Sequence, residues 1–179
     1  RPANDIDRRA RVHIGGDTAD AIERLDQVTI ASINGLAVGG GVVLATCCDL
    51  RLAAESAWFS IPEVELEMPL TWHAIPRLMR ELGPARTKEL VMACDRFTSA
   101  QALAWGFLNH VVPDDHLQER ALALADRLLA MDPLSLASTK SACAAMANLM
   151  VPVEATWSDR ELALLAYRQQ ERRRESGEQ

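Results

Sequence analysis

The stretch Val28-Thr29-Ile30-Ala31-Ser32-Ile33-Asn34-Gly35-Leu36-Ala37-Val38-Gly39-Gly40-Gly41-Val42-Val43-Leu44-Ala45-Thr46-Cys47-Cys48-Asp49 decides how the chain is read. Residues 28–33 are uncharged and rich in β-branched side chains, and Asn34-Gly35 closes them with a turn signal, so a buried strand is expected there. The glycine triplet then leads into an apolar run ending at Asp49, which reads as a helix entered through a glycine turn. Leu50-Arg51-Leu52-Ala53-Ala54 reads as a second strand and Ala57-Trp58-Phe59-Ser60-Ile61 as a third, stopped by Pro62. Strand, glycine turn, helix, strand is an α/β pattern.

On the N-terminal side, residues 1–27 are polar, with Gly15-Gly16-Asp17 in the middle and a short amphipathic stretch from Asp20 to Leu25. A mobile loop leading into a short helix is expected. Beyond Pro69 helices dominate. Thr71 is a candidate cap for a helix ending at Gly83, Pro84 starts the next, and Ser99 is a candidate cap for a short one closed by Gly106. After the extended Val111-Val112-Pro113, residues 116–131 carry Leu117, Ala121, Leu124 and Leu128 at helical spacing. Asp132-Pro133 and Pro152 open two more helices, and residues 169–179 read as a solvated tail. The expected organisation is a loop and short helix over 1–27, an α/β core over 28–113, and a helical region over 114–179. Because the chain opens on Arg1-Pro2, it is expected to start partway into a longer protein, with part of the core upstream.

Composition narrows the function classes. The 179 residues are 49% hydrophobic, with 19 basic and 25 acidic side chains and a formal charge of −6. There is no overall basic field to gather phosphate backbones, and the single arginine run, Arg172 to Arg174, is flanked by Glu171 and Glu175, so no nucleic-acid partner is expected. No apolar run reaches the ~18 residues that cross a bilayer, and no signal-peptide core follows the N-terminus. Cys47, Cys48, Cys94 and Cys143 form no C-x-x-C pair and are expected as buried free thiols. A cytoplasmic setting without membrane attachment follows as an expectation.

Two segments carry candidate chemistry. Glycines at a strand-to-helix turn leave backbone N–H groups free to face a ligand, and Gly39-Gly40-Gly41 matches neither the Walker loop nor the dinucleotide fingerprint. Such a turn either holds a developing oxyanion or packs helix closely on sheet. In Ile61-Pro62-Glu63-Val64-Glu65-Leu66-Glu67 three carboxylates alternate with apolar residues. Glu65 and Glu67 read as solvated, whereas Glu63 follows a proline and lies between Trp58-Phe59 and Trp72, surroundings that raise a carboxyl toward general-base range. The histidines, at 13, 73, 110 and 116, lack metal-ligand spacing, and of them only His73 is near the Glu63 segment in sequence. No G-x-S-x-G elbow is present.

The strings Ile33-Asn34-Gly35-Leu36-Ala37-Val38-Gly39-Gly40-Gly41, Ala45-Thr46-Cys47-Cys48-Asp49-Leu50-Arg51 and Phe59-Ser60-Ile61-Pro62-Glu63 resemble the enoyl-CoA hydratase/isomerase (crotonase) superfamily. The likeness continues, in order, through Pro69-Leu70, Ile75-Pro76-Arg77-Leu78, Gly83-Pro84-Ala85, Gly106-Phe107-Leu108-Asn109 and Val111-Val112-Pro113, and spans roughly residues 28–150. It implies a spiral of ββα units followed by a helical region that builds homotrimers or hexamers. It implies an acyl-CoA substrate, with coenzyme A as part of that substrate and no separate cofactor or metal. Gly40 takes the position of one oxyanion N–H and Glu63 that of an acid/base, with Gly39, Gly41, Val43, Glu67, Leu70 and His73 expected to surround the substrate.

Three departures stand out. The second oxyanion N–H belongs, by the resemblance, to a segment before the 1–27 loop. Family hydratases carry two glutamates, whereas the matching positions here are Val43 and Glu63. Glycine is frequent in the family where Glu67 and His73 stand. The resemblance implies an enzyme acting on an unsaturated fatty acyl-CoA, and with Val43 in place of the second acid isomerisation is expected to be slightly favoured over hydration. The rival reading is a catalytically idle crotonase-fold protein that binds acyl-CoA or serves in an assembly. The helices after residue 114, with Leu134, Leu136, Ala137 and Met146, present more apolar surface than the core can cover, so self-association is expected.

Overall fold

The computed structural model describes residues 5–177. Asp5–Glu23 is one continuous helix, α1, which corrects the loop expected there. The physical reason lies across the molecule. A Cβ built on Gly15 would fall 1.9 Å from Cε2 of Trp72, so the glycine is where the indole packs against the helix, not where the helix stops. Residues 1–4 of that segment lie outside the described residues.

The chain then circulates between two sheets. β1 (Ile30–Ile33) enters the first, β2 (Leu36–Val38) the second, and α2 (Gly40–Thr46) returns. The next circuit repeats it with β3 (Leu50–Ala54), β4 (Trp58–Ser60) and α3 (Ala74–Ala93). β5 (Phe97–Thr98), α4 (Ser99–Ala104) and β6 (His110–Val112) complete the described core. β1, β3 and β6 pair in parallel, with Ile30 opposite Leu50 and Leu52 opposite His110. In the second sheet β2 runs parallel to β4, Leu36 opposite Trp58, while β5 pairs antiparallel to β4. Each circuit stacks on the last, which is a spiral of ββα units.

Between the sheets Phe59 stacks on Phe97 at 5.1 Å and meets Phe107 edge-on at 5.9 Å. Leu52, Ile61, Leu78, Val42 and Val43 fill the space around them. Arg51 is buried among these groups because its donors are satisfied: Nε donates to the Phe107 carbonyl at 2.5 Å, Nη1 to the Cys48 carbonyl at 2.9 Å, and Nη2 to Glu81 of α3.

Several helix boundaries differ from expectation by a few residues. Thr71 contributes only its carbonyl, accepting from the Ala74 N–H at 3.3 Å, and α3 begins after a left-handed His73. The break expected at Gly83 is a kink within α3 (φ 72°, ψ 165°), from which Pro84 restarts the helix. Thr98, not Ser99, caps α4 through a reciprocal capping box with Gln101, while the Ser99 hydroxyl donates to the Glu55 carbonyl at 2.8 Å. The 3-10 turn Asp114–His116 leads into α5 (Leu117–Leu129). Asp132 caps α6 (Pro133–Met150) as expected, its side chain accepting from the Ser135 N–H at 2.8 Å. A second 3-10 turn, Val153–Thr156, precedes α7 (Asp159–Ser176).

Two further expectations are corrected. Residues 169–176 are helical, not a solvated tail: Gln170 donates to the Leu66 carbonyl at 2.7 Å and Arg173 pairs with Glu67. Of the cysteines, Cys47 and Cys94 are buried, Cys48 is half-buried, and Cys143 is exposed on α6. Burial pushes the Cys47 thiol up to about 12.

Candidate active site

The glycine turn is built from the end of β2. The Gly39 N–H donates to the Ser60 carbonyl of β4 at 2.9 Å, and the Gly39 carbonyl accepts from the N–H groups of Val42 and Val43 at 2.9 and 3.2 Å. Gly39 has φ 52° and is buried. Gly40 is the first residue of α2, so its N–H has no intrahelical acceptor. Gly41 is exposed, and an added Cβ there would make only an ordinary 3.7 Å contact with Ala37.

Glu63 stands directly over this turn. An ideal Cβ on Gly39 would fall 2.4 Å from its Oε1, so only glycine leaves room for the carboxylate. Its backbone carbonyl accepts from Leu66 and Met68 at 3.1 and 2.8 Å, which closes the 62–68 loop into a tight turn. Oε2 is buried and, among the described residues, lacks a hydrogen-bond partner. Burial pushes the Glu63 carboxyl above its ordinary value, against the opposing pull of its own backbone N–H. An acceptor held dry and unpartnered beside a backbone turn is equipped to take a proton from a bound ligand.

Trp72 covers the neighbouring glycine. A Cβ on Gly40 would lie 2.5 Å from Cζ3 of the indole. Trp72 also lines a cleft of about 1130 Å³ together with Gly15, Leu44, Met68, Ala163 and Tyr167. Trp72 and His73 both have left-handed backbones, with φ 63° and 56°. This turn is held by Arg77, whose Nη1 donates to the carbonyls of Trp72 and His73 at 3.1 and 3.3 Å, and by Asp159, which accepts the His73 N–H at 2.9 Å.

The expected site residues thus separate. Glu63, Gly39 and Gly40 come together. Val43 is 2% exposed within the core, and Leu44, not Val43, faces the cleft. Leu70 is also a core residue. Glu67 is exposed and paired with Arg173, and Glu65 is exposed. His73 turns to Asp20, with Nδ1 at 3.2 Å from Oδ1, and lines a separate cavity of about 640 Å³ with Arg77 and Arg80. Trp72, Gly15 and Arg77 were not among the expected site residues. For Gly15 the available signal was the Gly15-Gly16 pair in a segment that reads as a loop, since glycines within a helix ask for a close packing partner.

Residues 14–179 match the enoyl-CoA hydratase/isomerase family. The chain belongs to that family. A carnitinyl-CoA dehydratase of Salmonella typhi is 38% identical over 130 residues, 73% of this chain and 49% of its own. The chain therefore spans about half the length of the curated relatives it matches. An enoyl-CoA hydratase/isomerase from Xanthobacter autotrophicus Py2 superposes with TM-score 0.84 at 29% identity, over 93% of this chain and 61% of that one. A monofunctional enoyl CoA isomerase from M. smegmatis does so with TM-score 0.67 at 30% identity, over 73% and 61% respectively. Among the described residues no helix is long and apolar enough to cross a membrane.

Proposed function

We propose that the protein processes an unsaturated fatty acyl-CoA through a thioester enolate, with Glu63 as the single acid/base and the Gly40 N–H on the thioester oxygen, and that it favours isomerisation over hydration. The observation carrying this reading is the Glu63 carboxylate over Gly39, whose Oε2 is buried without a hydrogen-bond partner among the described residues, while the second acid position holds a buried Val43.

In a 3-enoyl thioester the double bond lies one carbon beyond conjugation. Glu63 takes a proton from C2, the electron pair moves into the thioester to give the enolate, and the oxyanion is stabilised by fixed N–H donors. Glu63 then returns the same proton to C4, leaving the bond between C2 and C3. One carboxylate completes the cycle with nothing gained or lost. Adding water to a 2-enoyl thioester needs a group to activate the water as well as a proton for C2, work that two carboxylates divide. The relatives are named for both outcomes, a dehydratase and a monofunctional isomerase. No separate cofactor is called for, because coenzyme A is part of the substrate, and a homotrimeric or hexameric assembly in a cytoplasmic setting completes the proposal.

The test is to assay 3-hexenoyl-CoA isomerisation and crotonyl-CoA hydration on one full-length preparation, through the absorbance of the conjugated thioester. Isomerisation is expected to be the faster. Hydration outrunning it overturns the preference, and acyl-CoA binding without turnover of either substrate at high enzyme concentration establishes the idle crotonase-fold reading instead.

A further inference from the structure

We propose that Trp72 sets the acyl-chain length the site accepts, its indole forming the end wall that separates the Glu63–Gly40 centre from the large cleft and restricting the substrate to a short chain. The proposal rests on the thioester being held at Gly40.

Three observations carry it. The indole lies in a slot made by two glycine faces. On α1, a Cβ at Gly15 would meet its six-membered and five-membered ring atoms at 1.9 to 2.3 Å, and on α2 a Cβ at Gly40 would meet it at 2.5 Å. Neither face tolerates a side chain, so the slot is shaped for a flat ring.

The wall is also fixed. Two successive left-handed residues, Trp72 and His73, hold the chain in a conformation that persists only where the surroundings over-determine it. Here they do. Arg77, 2% exposed, donates to both carbonyls, and the Asp159 carboxylate takes the His73 N–H. The backbone that carries the indole is therefore held in place.

Finally, the indole borders open space. The cleft of about 1130 Å³ is lined by Trp72, Leu44 and Met68 with Ala163 and Tyr167 of α7, and by charged groups that include Arg11 and Arg174. Consecutive Cα atoms are about 3.8 Å apart, so the ring over Gly40 and the carboxylate over Gly39 flank the same short stretch of substrate. In the proposed arrangement a tail directed from this centre toward the cleft meets the indole. Each methylene taken from water is worth about fourfold in affinity, so an enzyme that denies its tail access to the apolar part of that cleft, at Leu44, Met68 and Ala163, forgoes selectivity for long chains.

The experiment measures binding of saturated hexanoyl-CoA and dodecanoyl-CoA, together with kcat/KM for 3-hexenoyl-CoA and 3-dodecenoyl-CoA, on the full-length wild type, Trp72→Ala and Trp72→Leu. Wild type is expected to favour the six-carbon ester in both measurements. Removing the wall should raise the twelve-to-six preference at least ~10-fold in Trp72→Ala, with a smaller rise in Trp72→Leu. Adding Met68→Trp to Trp72→Ala should refill the cleft and reverse the gain. Equal wild-type binding of both esters, or an unchanged preference in both Trp72 variants, overturns the role of Trp72 alone. Failure of wild type to bind either ester overturns the reading of Gly40 and Glu63 on which it rests.

Discussion

Arg77 of α3 reaches across to Asp20 of α1, with Nη2 2.8 Å from Oδ1, and the same nitrogen lies 2.7 Å from Oε2 of Glu23. This buried guanidinium joins α1 to α3 and, through its bonds to the carbonyls of residues 72 and 73, also fixes the turn that carries Trp72. One side chain therefore couples the packing of α1 to the shape of the site.

Removing it should be costly. Arg77→Met leaves two half-buried carboxylates without their main partner and frees two carbonyls, so a loss of about 3 kcal/mol is expected in urea unfolding. Arg77→Lys keeps the charge but not the fork, and should recover only part. The pH dependence follows from Asp20. Burial pushes its carboxyl up, but hydrogen bonds from Arg77 and His73 outweigh this and hold it below the ordinary 3.8. A depressed carboxyl stabilises the fold above its unfolded pKa and ceases to as pH falls through the folded one. Wild type should thus lose stability below about pH 4, and Asp20→Asn should flatten that part of the acid limb. Equal acid limbs in the two proteins would refute the coupling.

Glu63 has the opposite sign. Its folded carboxyl titrates above the ordinary 4.5 because burial disfavours the charge, so its contribution to stability is complete at low pH and is lost as pH rises through the folded value. Activity needs the ionised form, so the acid limb of kcat/KM should lie above 4.5. Glu63→Gln is expected to lower kcat by ~10²-fold or more, to leave acyl-CoA binding nearly unchanged, and to melt no lower than wild type at pH 8. A Glu63→Gln protein with undiminished turnover would move the base elsewhere.

The α/β core was legible because its signals are local. The β-branched run at 28–33, the Asn34-Gly35 turn and the proline after Ile61 each fix their own neighbourhood, and Glu63 stood out as a carboxylate in apolar company. Pairing distant segments was not legible in this way. Gly15 opposes helix propensity when read alone, and its reason is an indole from the far end of the core. Residues 169–176 read as solvent-exposed from their charge, yet Gln170 and Arg173 dock them on Leu66 and Glu67. His73 looked close to Glu63 in sequence, but successive left-handed residues turn it toward Asp20 instead.

Helix α6 has no buried residue, and Leu134, Leu149 and Met150 on it are 74%, 78% and 74% exposed. An apolar helix that the protomer leaves uncovered is expected to meet a second copy of the chain. Light scattering at micromolar concentration should show an oligomer, and Leu149→Glu together with Met146→Glu should shift it to smaller species. A wild-type protein that stays monomeric removes this expectation.

Gly15 offers a test in which two effects of known sign compete. An alanine in a helix interior is favoured over glycine by about 1 kcal/mol, so propensity alone predicts that Gly15→Ala stabilises the protein. The added Cβ, however, would fall 1.9 Å from Trp72 Cε2, and the indole cannot retreat because Gly40 closes its other face. Overpacking of this kind costs about 1–3 kcal/mol, which outweighs the propensity gain. Gly15→Ala should therefore lower the unfolding midpoint in the wild-type background. With Trp72→Ala the obstruction is gone, only the propensity effect remains, and the same substitution should raise the midpoint. The double-mutant cycle should close with a coupling of about 2 kcal/mol between the two positions. Stabilisation by Gly15→Ala in both backgrounds would show that the indole does not occupy the slot between α1 and the glycine turn.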